Sequence, residues 1–382
     1  MNNSDPLQLH IVAFDIPFPP NYGGAIDVFH KVRCLSEAGV TIYLHCPQYG
    51  DRIPSKELEA LCKQVWYYPR HTGLKGISLK YPYMVYSRRN NALLENLISI
   101  NAPILFDGLS TSFYTHHLAL KNRFKILRNQ NIEQDYYYQL AKREKSLLKK
   151  WYYLIEAQLL KRYENSIMAV DAFFTVAMHD HDFFKKKHPA ATHEYIPSFQ
   201  PYDEINSKKG KGDYCIYHGN LALSENREAA IFLLKEVVPF INTPFVIAGR
   251  NPDKEIFSLA SKCTNCRLVA NPDMDEMNDL IHNAHIHVLP TFQDTGLKLK
   301  LLHALFNGRH VLVNNEMLTG TGLMAACTIA NSAKEMIGSI QKLMEKPFSD
   351  TEIEKRKSIL EQHYNNRKNA SQIIQVLREK SQ

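Results

Sequence analysis

Short apolar runs alternate with longer stretches of helical period, and the alternation occurs in two series. In the first, residues 9–14 read as a buried strand followed by a Pro/Gly turn. Residues 25–38 then show helical periodicity, with Gly39 placed to cap the end. Residues 40–46 form the next strand, so the chain opens as a β-α-β unit with parallel strands and a right-handed crossover. Further strands are expected at 65–68, 104–108, 124–128 and 172–177, with one or two helices over 136–168. Residues 197–212, mixing Pro, Ser, Asp, Asn, Gly and a Lys pair, read as a linker. The second series places strands at 214–217, 245–248, 267–270, 285–289 and 311–313, a helix at 226–238, and a charged helical tail from Asp350. The fold class is therefore α/β, in two tandem doubly wound domains.

The length of 382 residues agrees, since one core seldom grows so large. The boundaries are expected at 1–200, 201–350 and a return segment 351–382. With 45% hydrophobic and 22% charged residues, the composition is that of a soluble globular protein. No apolar run nears the ~20 residues that span a bilayer. Residues 1–6 lack the features of a signal peptide, and seven scattered cysteines suit a reducing compartment, so a cytoplasmic location is expected. The net charge of +7 fits an anionic ligand or an anionic membrane surface without choosing between them. Nucleic acid is not an expected partner, because 46 Lys and Arg are balanced by 39 Asp and Glu and no recognition motif is present.

The chemistry gathers at residues 295–313, where a glycine turn follows the 286–290 strand and leads into a helix. Lys298 and Lys300 then lie near a helix N-terminus at the carboxyl edge of a parallel sheet. That edge binds ligands in open α/β sheets, and helix N-termini favour anions, so a phosphate-bearing ligand is expected. Residues 19–25 supply a second glycine turn.

At residues 17–24 and 128–133, and in the second half at 217–220, 248–250 and 296–313, the chain resembles the GT-B glycosyltransferases of glycosyltransferase family four (group one). The resemblance implies two Rossmann-like doubly wound domains facing across a cleft. It implies a nucleotide-diphosphate sugar donor held mainly by the second domain and a glycan or lipid-linked acceptor mainly by the first. It further implies transfer with retention, no metal or other cofactor, and a last helix packed back on the first domain. On this reading Lys300 meets the leaving diphosphate, supported by Lys298, as fixed cations stabilise developing charge. Gly23 and Gly24 let the backbone close on phosphates or sugar. Asn220, Gly249, Arg250, Thr295, Gly296 and His303 complete the donor side, with Gly249 and Arg250 bordering the base. Asp107, Asn131 and Glu133 form the acceptor side, Asp107 and Glu133 with catalytic roles.

Several positions depart from the family pattern. Many relatives carry two glutamates eight residues apart, where this chain has Thr295 and His303, with Asp294 one residue out of register. The Arg and Lys common after the first strand of the second domain are replaced by Asn220, Glu225 and Asn226. A catalytically silent protein of the same fold, binding a nucleotide, glycan or partner enzyme, is the rival. A nicotinamide-dependent enzyme is disfavoured, since no strand leads into Gly-x-Gly-x-x-Gly.

Other features have plainer explanations. Asp107 and Asn131–Glu133 also suit turn or helix capping. His116 and His117 read as surface or packing residues within a helix. Cys263, Cys266, His282 and His287 match zinc-finger spacing, but a ββα finger would break the second domain. The basic aromatic run 136–163 reads either as a surface touching anionic lipid at the inner membrane face or as a packed helix with solvated charges. The second reading is favoured because Glu144, Glu156 and Glu164 dilute the charge.

Overall fold

A computed structural model describes residues 6–167, 169–293 and 299–380. The chain divides into two compact units, Met1–Pro201 with Asn366–Gln382, and Tyr202–Asn365.

The first unit holds seven strands: β1 Gln8–Val12, β2 Thr41–Gln48, β3 Gln64–Pro69, β4 Ile104–Asp107, β5 Lys125–Asn129, β6 Ala172–Thr175 and β7 Thr192–Tyr195. All pair in parallel, in the order β3-β2-β1-β4-β5-β6-β7. Order reverses between β1 and β4, the switch point where such sheets open to ligands. The core strands are runs of Val, Ile, Leu and Phe, which suits a sheet covered on both faces. Helix Gly23–Glu37 covers one face together with the last helix, Asn366–Lys380, whose Ile373 and Leu377 are fully buried. The opposite face carries Leu93, Leu97, Leu160 and Tyr163.

The second unit holds β8 Cys215–Asn220, β9 Phe245–Arg250, β10 Cys266–Ala270, β11 Ile286–Val288, β12 His310–Val313 and β13 Thr328–Ile329. They are again all parallel, in the order β10-β9-β8-β11-β12-β13, with the switch point between β8 and β11. The two doubly wound sheets have the architecture expected from the alternating pattern.

Three local expectations need correction. The segment 351–382 is not one return element. Helix Asp350–His363 belongs to the second unit, and only Asn366–Lys380 to the first. His116 and His117 lie in an exposed turn between the short 3-10 segments Leu109–Tyr114 and Leu118–Leu120, not within a helix. Residues 226–238 form helix Ser224–Phe232, which widens into a π turn at Leu233–Val237.

Candidate active site

In the second unit, β8 ends at Gly219 and Asn220 and the chain turns into helix Ser224–Phe232. The turn is tied to its neighbour by the Leu221 N–H, which donates to the Arg250 carbonyl at 2.9 Å. A side chain at Gly249 would overlap the Gly219 carbonyl oxygen, so glycine is what lets the ends of β8 and β9 close on one another. Arg250 follows, exposed at the strand end.

Lys300 occupies the second position of helix Leu299–Asn307 and turns inward toward this turn. Its ammonium donates to the Tyr217 hydroxyl at 3.1 Å and to Asn226 Oδ1, and it lies 5.0 Å from the Tyr217 ring centroid. Tyr217, fully buried, donates in turn to the Asn226 carbonyl at 3.1 Å. Asn226 Nδ2 donates to the Asn220 carbonyl at 2.9 Å. A half-buried cation is thereby held at the carboxyl end of β8 by a hydroxyl and an amide oxygen. An ammonium held at a strand end in this way can attract an anion.

His303, one turn further along, stacks on Tyr202 with ring centroids 5.2 Å apart and meets His218 edge-on at 5.6 Å. Burial lowers its pKa to about 4, so the imidazole is neutral near pH 7 and suited to bonding a hydroxyl. Arg227, the basic residue on the helix after β8, is tied to Asp253 and Glu255, each at 2.5 Å. Sequence reasoning missed the pairing of Thr291 and Asn314. The Thr291 N–H donates to Asn314 Oδ1 at 3.0 Å, and Asn314 Nδ2 returns a bond to the Thr291 carbonyl at 2.6 Å. Asp294, Thr295, Gly296 and Lys298 lie outside the described residues.

In the first unit the loop after β1 is held by two arginines that no motif singled out. Arg52 donates to the Ile16 carbonyl at 2.6 Å, the Pro19 carbonyl at 3.1 Å and Asn21 Oδ1 at 2.5 Å. Arg88 donates to the Phe14 carbonyl at 2.8 Å. Gly23 opens the following helix, and a side chain at Gly24 would strike the Phe14 ring. Close packing on Phe14 is thus the physical reason for glycine at position 24.

Asp107 is placed otherwise than an acceptor-facing group. It is fully buried and ion-paired with Lys31, next to a second buried carboxylate, Asp27. Asp27 takes hydrogen bonds from Arg128 at 2.9 and 3.1 Å and from the Phe199 N–H at 2.7 Å. Burial alone would raise the Asp27 pKa, but Arg128 and Lys31 outweigh it and hold the group down at about 2. Asp107 instead is raised by burial, against the pull of Lys31. Two acids and two bases here form an internal network, which gives Asp107 no edge toward an acceptor.

Glu133 lies beside a second carboxylate, Glu164. It starts helix Glu133–Arg143 at the carboxyl end of β5, just after the half-buried Asn131. Its N–H donates to Glu164 Oε1 at 3.0 Å, so Glu164 supplies the helix cap. Burial, and then repulsion from Glu164, push the Glu133 carboxyl up to about 8, with Arg88 opposing. Burial also raises Glu164 to about 7, although Lys187 lies 3.7 Å away, and raises Asp180 to about 6. Carboxyl groups poised near neutrality on a ligand-binding edge suit general acid–base work.

The zinc-like spacing does not assemble a finger. Cys263 and Cys266 bracket the turn into β10, while His287 is buried within β11. Among the described residues no group of three or more His, Cys, Asp or Glu is placed to hold a metal ion.

Two tandem doubly wound units with this edge chemistry define the GT-B glycosyltransferase fold. Residues 212–346 match the family of glycosyl transferases group 1. The match lies within the second unit, and the chain as a whole has the GT-B fold. Over 341 residues, 82% of this chain and 84% of the relative, it is 26% identical to a Klebsiella pneumoniae protein described as an uncharacterized 44.6 kDa protein in the cps region. Sucrose-phosphate synthase from Thermosynechococcus elongatus shares the fold with a TM-score of 0.71 at 13% identity, covering 98% of each chain. The E. coli trehalose-6-phosphate structure bound with UDP-2-fluoro glucose has a TM-score of 0.62 at 11% identity, covering 97% of this chain and 98% of that one.

Proposed function

We propose that the protein transfers a sugar from a nucleotide-diphosphate sugar to a hydroxyl of a glycan or lipid-linked acceptor during cell-envelope polysaccharide synthesis. The observation that carries this is the Lys300 ammonium, fixed by Tyr217 and Asn226 at the carboxyl end of β8 within the group 1 domain. The UDP-sugar in a structure of the same fold and the cps-region relative support the donor class and the setting.

In the reaction, the bond from the anomeric carbon to the diphosphate oxygen breaks and the acceptor oxygen bonds to that carbon on the same face. The acceptor proton passes to the departing phosphate. Lys300, with Lys298, stabilises the negative charge that builds on the diphosphate. Neutral His303 bonds the donor's hydroxyls, and Gly249 and Arg250 border the base. Asn131 and Glu133 orient the acceptor, with Glu133 as its proton relay. Gly23, Gly24, Asn220, Thr295 and Gly296 are the remaining residues assigned to the donor. Asp107 acts at one remove, by keeping Lys31 and the start of the β4 loop in place.

The test is a thermal-shift screen with UDP-, GDP-, ADP- and CMP-linked sugars, followed by a donor hydrolysis assay. One donor class should raise the melting temperature through mass action, and Lys300→Ala should abolish that shift and the hydrolysis without unfolding the protein. Donor binding with no hydrolysis or transfer would instead favour the silent-binder reading, which the missing family glutamates motivate.

A further inference from the structure

The helical hairpin Glu133–Arg143 and Leu147–Ser166 rises from the carboxyl edge of the first sheet. Its base is fixed there by the Glu133 N–H bonded to Glu164. At 1.5 Å per residue, the far end of the first helix lies ~16 Å along its axis from Glu133. At that end Leu147 is 73% exposed, Leu148 86%, Trp151 65% and Ile155 59%. Their spacing of 1, 4 and 8 residues puts them on one face of the second helix. The buried Ala157, Leu160, Tyr163 and Glu164 occupy the opposite face.

Lys142, Lys145, Lys149 and Lys150 are exposed near the same end of the hairpin. The acids that dilute the run in sequence are elsewhere in space. Glu156 is buried with its carboxylate accepting the Met84 N–H at 3.1 Å, and Glu164 is buried beside Lys187. Only Glu144, half-buried, remains near the lysines. The segment that packs against the inner face through Met84, and through Tyr81 stacked edge-on to Tyr163 at 6.1 Å, repeats the pattern. It exposes Leu74, Ile77 and Leu79 beside Lys75 and Lys80.

We infer that the Leu147–Ile155 face docks on an anionic lipid surface, with the leucines, Trp151 and Ile155 entering the headgroup region and the lysines meeting the charged lipids. Apolar side chains, an interfacial tryptophan and a basic rim are what such a surface selects. A second copy of this face is disfavoured, because pairing it with itself would set lysine against lysine. Among the described residues no helix is long and apolar enough to cross a membrane, so the attachment is peripheral. The inference goes beyond the proposed reaction and stands whether or not that reaction is correct.

The test is co-sedimentation of the full chain with phosphatidylcholine vesicles, with and without about 30% phosphatidylglycerol as a source of surface charge. Binding is expected only with the anionic lipid, with a blue shift of Trp151 emission and release at high salt. Lys149→Glu with Lys150→Glu should weaken binding by at least about 25-fold, from roughly fivefold per lysine lost. Trp151→Ala should remove the emission shift and weaken binding by about tenfold, from the apolar area lost. The melting temperature and donor binding should stay unchanged in both variants, since these positions are exposed and belong to the unit without Lys300. Failure to bind anionic vesicles, equal binding to neutral ones, or self-association that Trp151→Ala abolishes would each overturn the inference.

Discussion

Lys300 Nζ and the Tyr217 hydroxyl are 3.1 Å apart, joining the start of helix Leu299–Asn307 to β8. The ammonium is aimed by a hydroxyl and an amide oxygen, and replacing it removes one positive charge. Lys300→Met is expected to lower the rate of donor cleavage by about 10²-fold or more, with a stability change of ~1 kcal/mol or less. Steady-state kinetics beside a urea titration will separate the two effects.

Asp27 holds Arg128 and Lys31 together in an interior without solvent, so breaking the network leaves buried cations undercompensated. Asp27→Asn should destabilise the first unit by about 3–5 kcal/mol. The Asp27 pKa is depressed from 3.8 to about 2, so its contribution is present above pH 3.8 and fades as pH falls through about 2. Acid titration of stability should therefore be shallower over that window in the variant than in the parent.

Glu133 has the opposite sign. Its pKa rises from 4.5 to about 8, so the folded state favours the protonated acid. Its contribution is fully present below pH 4.5 and is lost as pH rises through about 8. Glu133→Gln should flatten that loss, making the variant relatively more stable than the parent at alkaline pH. If the carboxyl relays the acceptor's proton, transfer activity should meanwhile fall by about 10²-fold. Melting temperatures across the pH range and transfer rates measured on the same samples will check both.

Gly249→Ala places a methyl group against the Gly219 carbonyl. The backbones must part, at a cost of roughly 1–3 kcal/mol. Because Asn220 and Asn226 are held by the same turn, donor affinity should fall along with the urea midpoint.

The sheets were legible because parallel, doubly covered strands show up as plain apolar runs, as in Phe245–Arg250. Thr192–Tyr195, half-buried along its length, and the two-residue Thr328–Ile329 carry no such signal. Lys300 was visible beside its glycine turn, but its partners Asn226 and Tyr217 lie 74 and 83 residues away in sequence. Glu133 stood out as a polar residue after a strand. Its altered acidity comes from burial and then from Glu164, which only the folding back of the hairpin brings near. For Asp107 the strand end was read correctly, while its enclosure by Lys31 depends on tertiary packing.

The placement of Ile373 and Leu377 in the core of the first unit has a consequence for biosynthesis. The helix that completes the first unit is translated only after the whole second unit, so the ribosome must deliver both units before the first can mature. Until then the face awaiting helix Asn366–Lys380 stays uncovered in the nascent chain, and a truncation there would damage the unit made earlier.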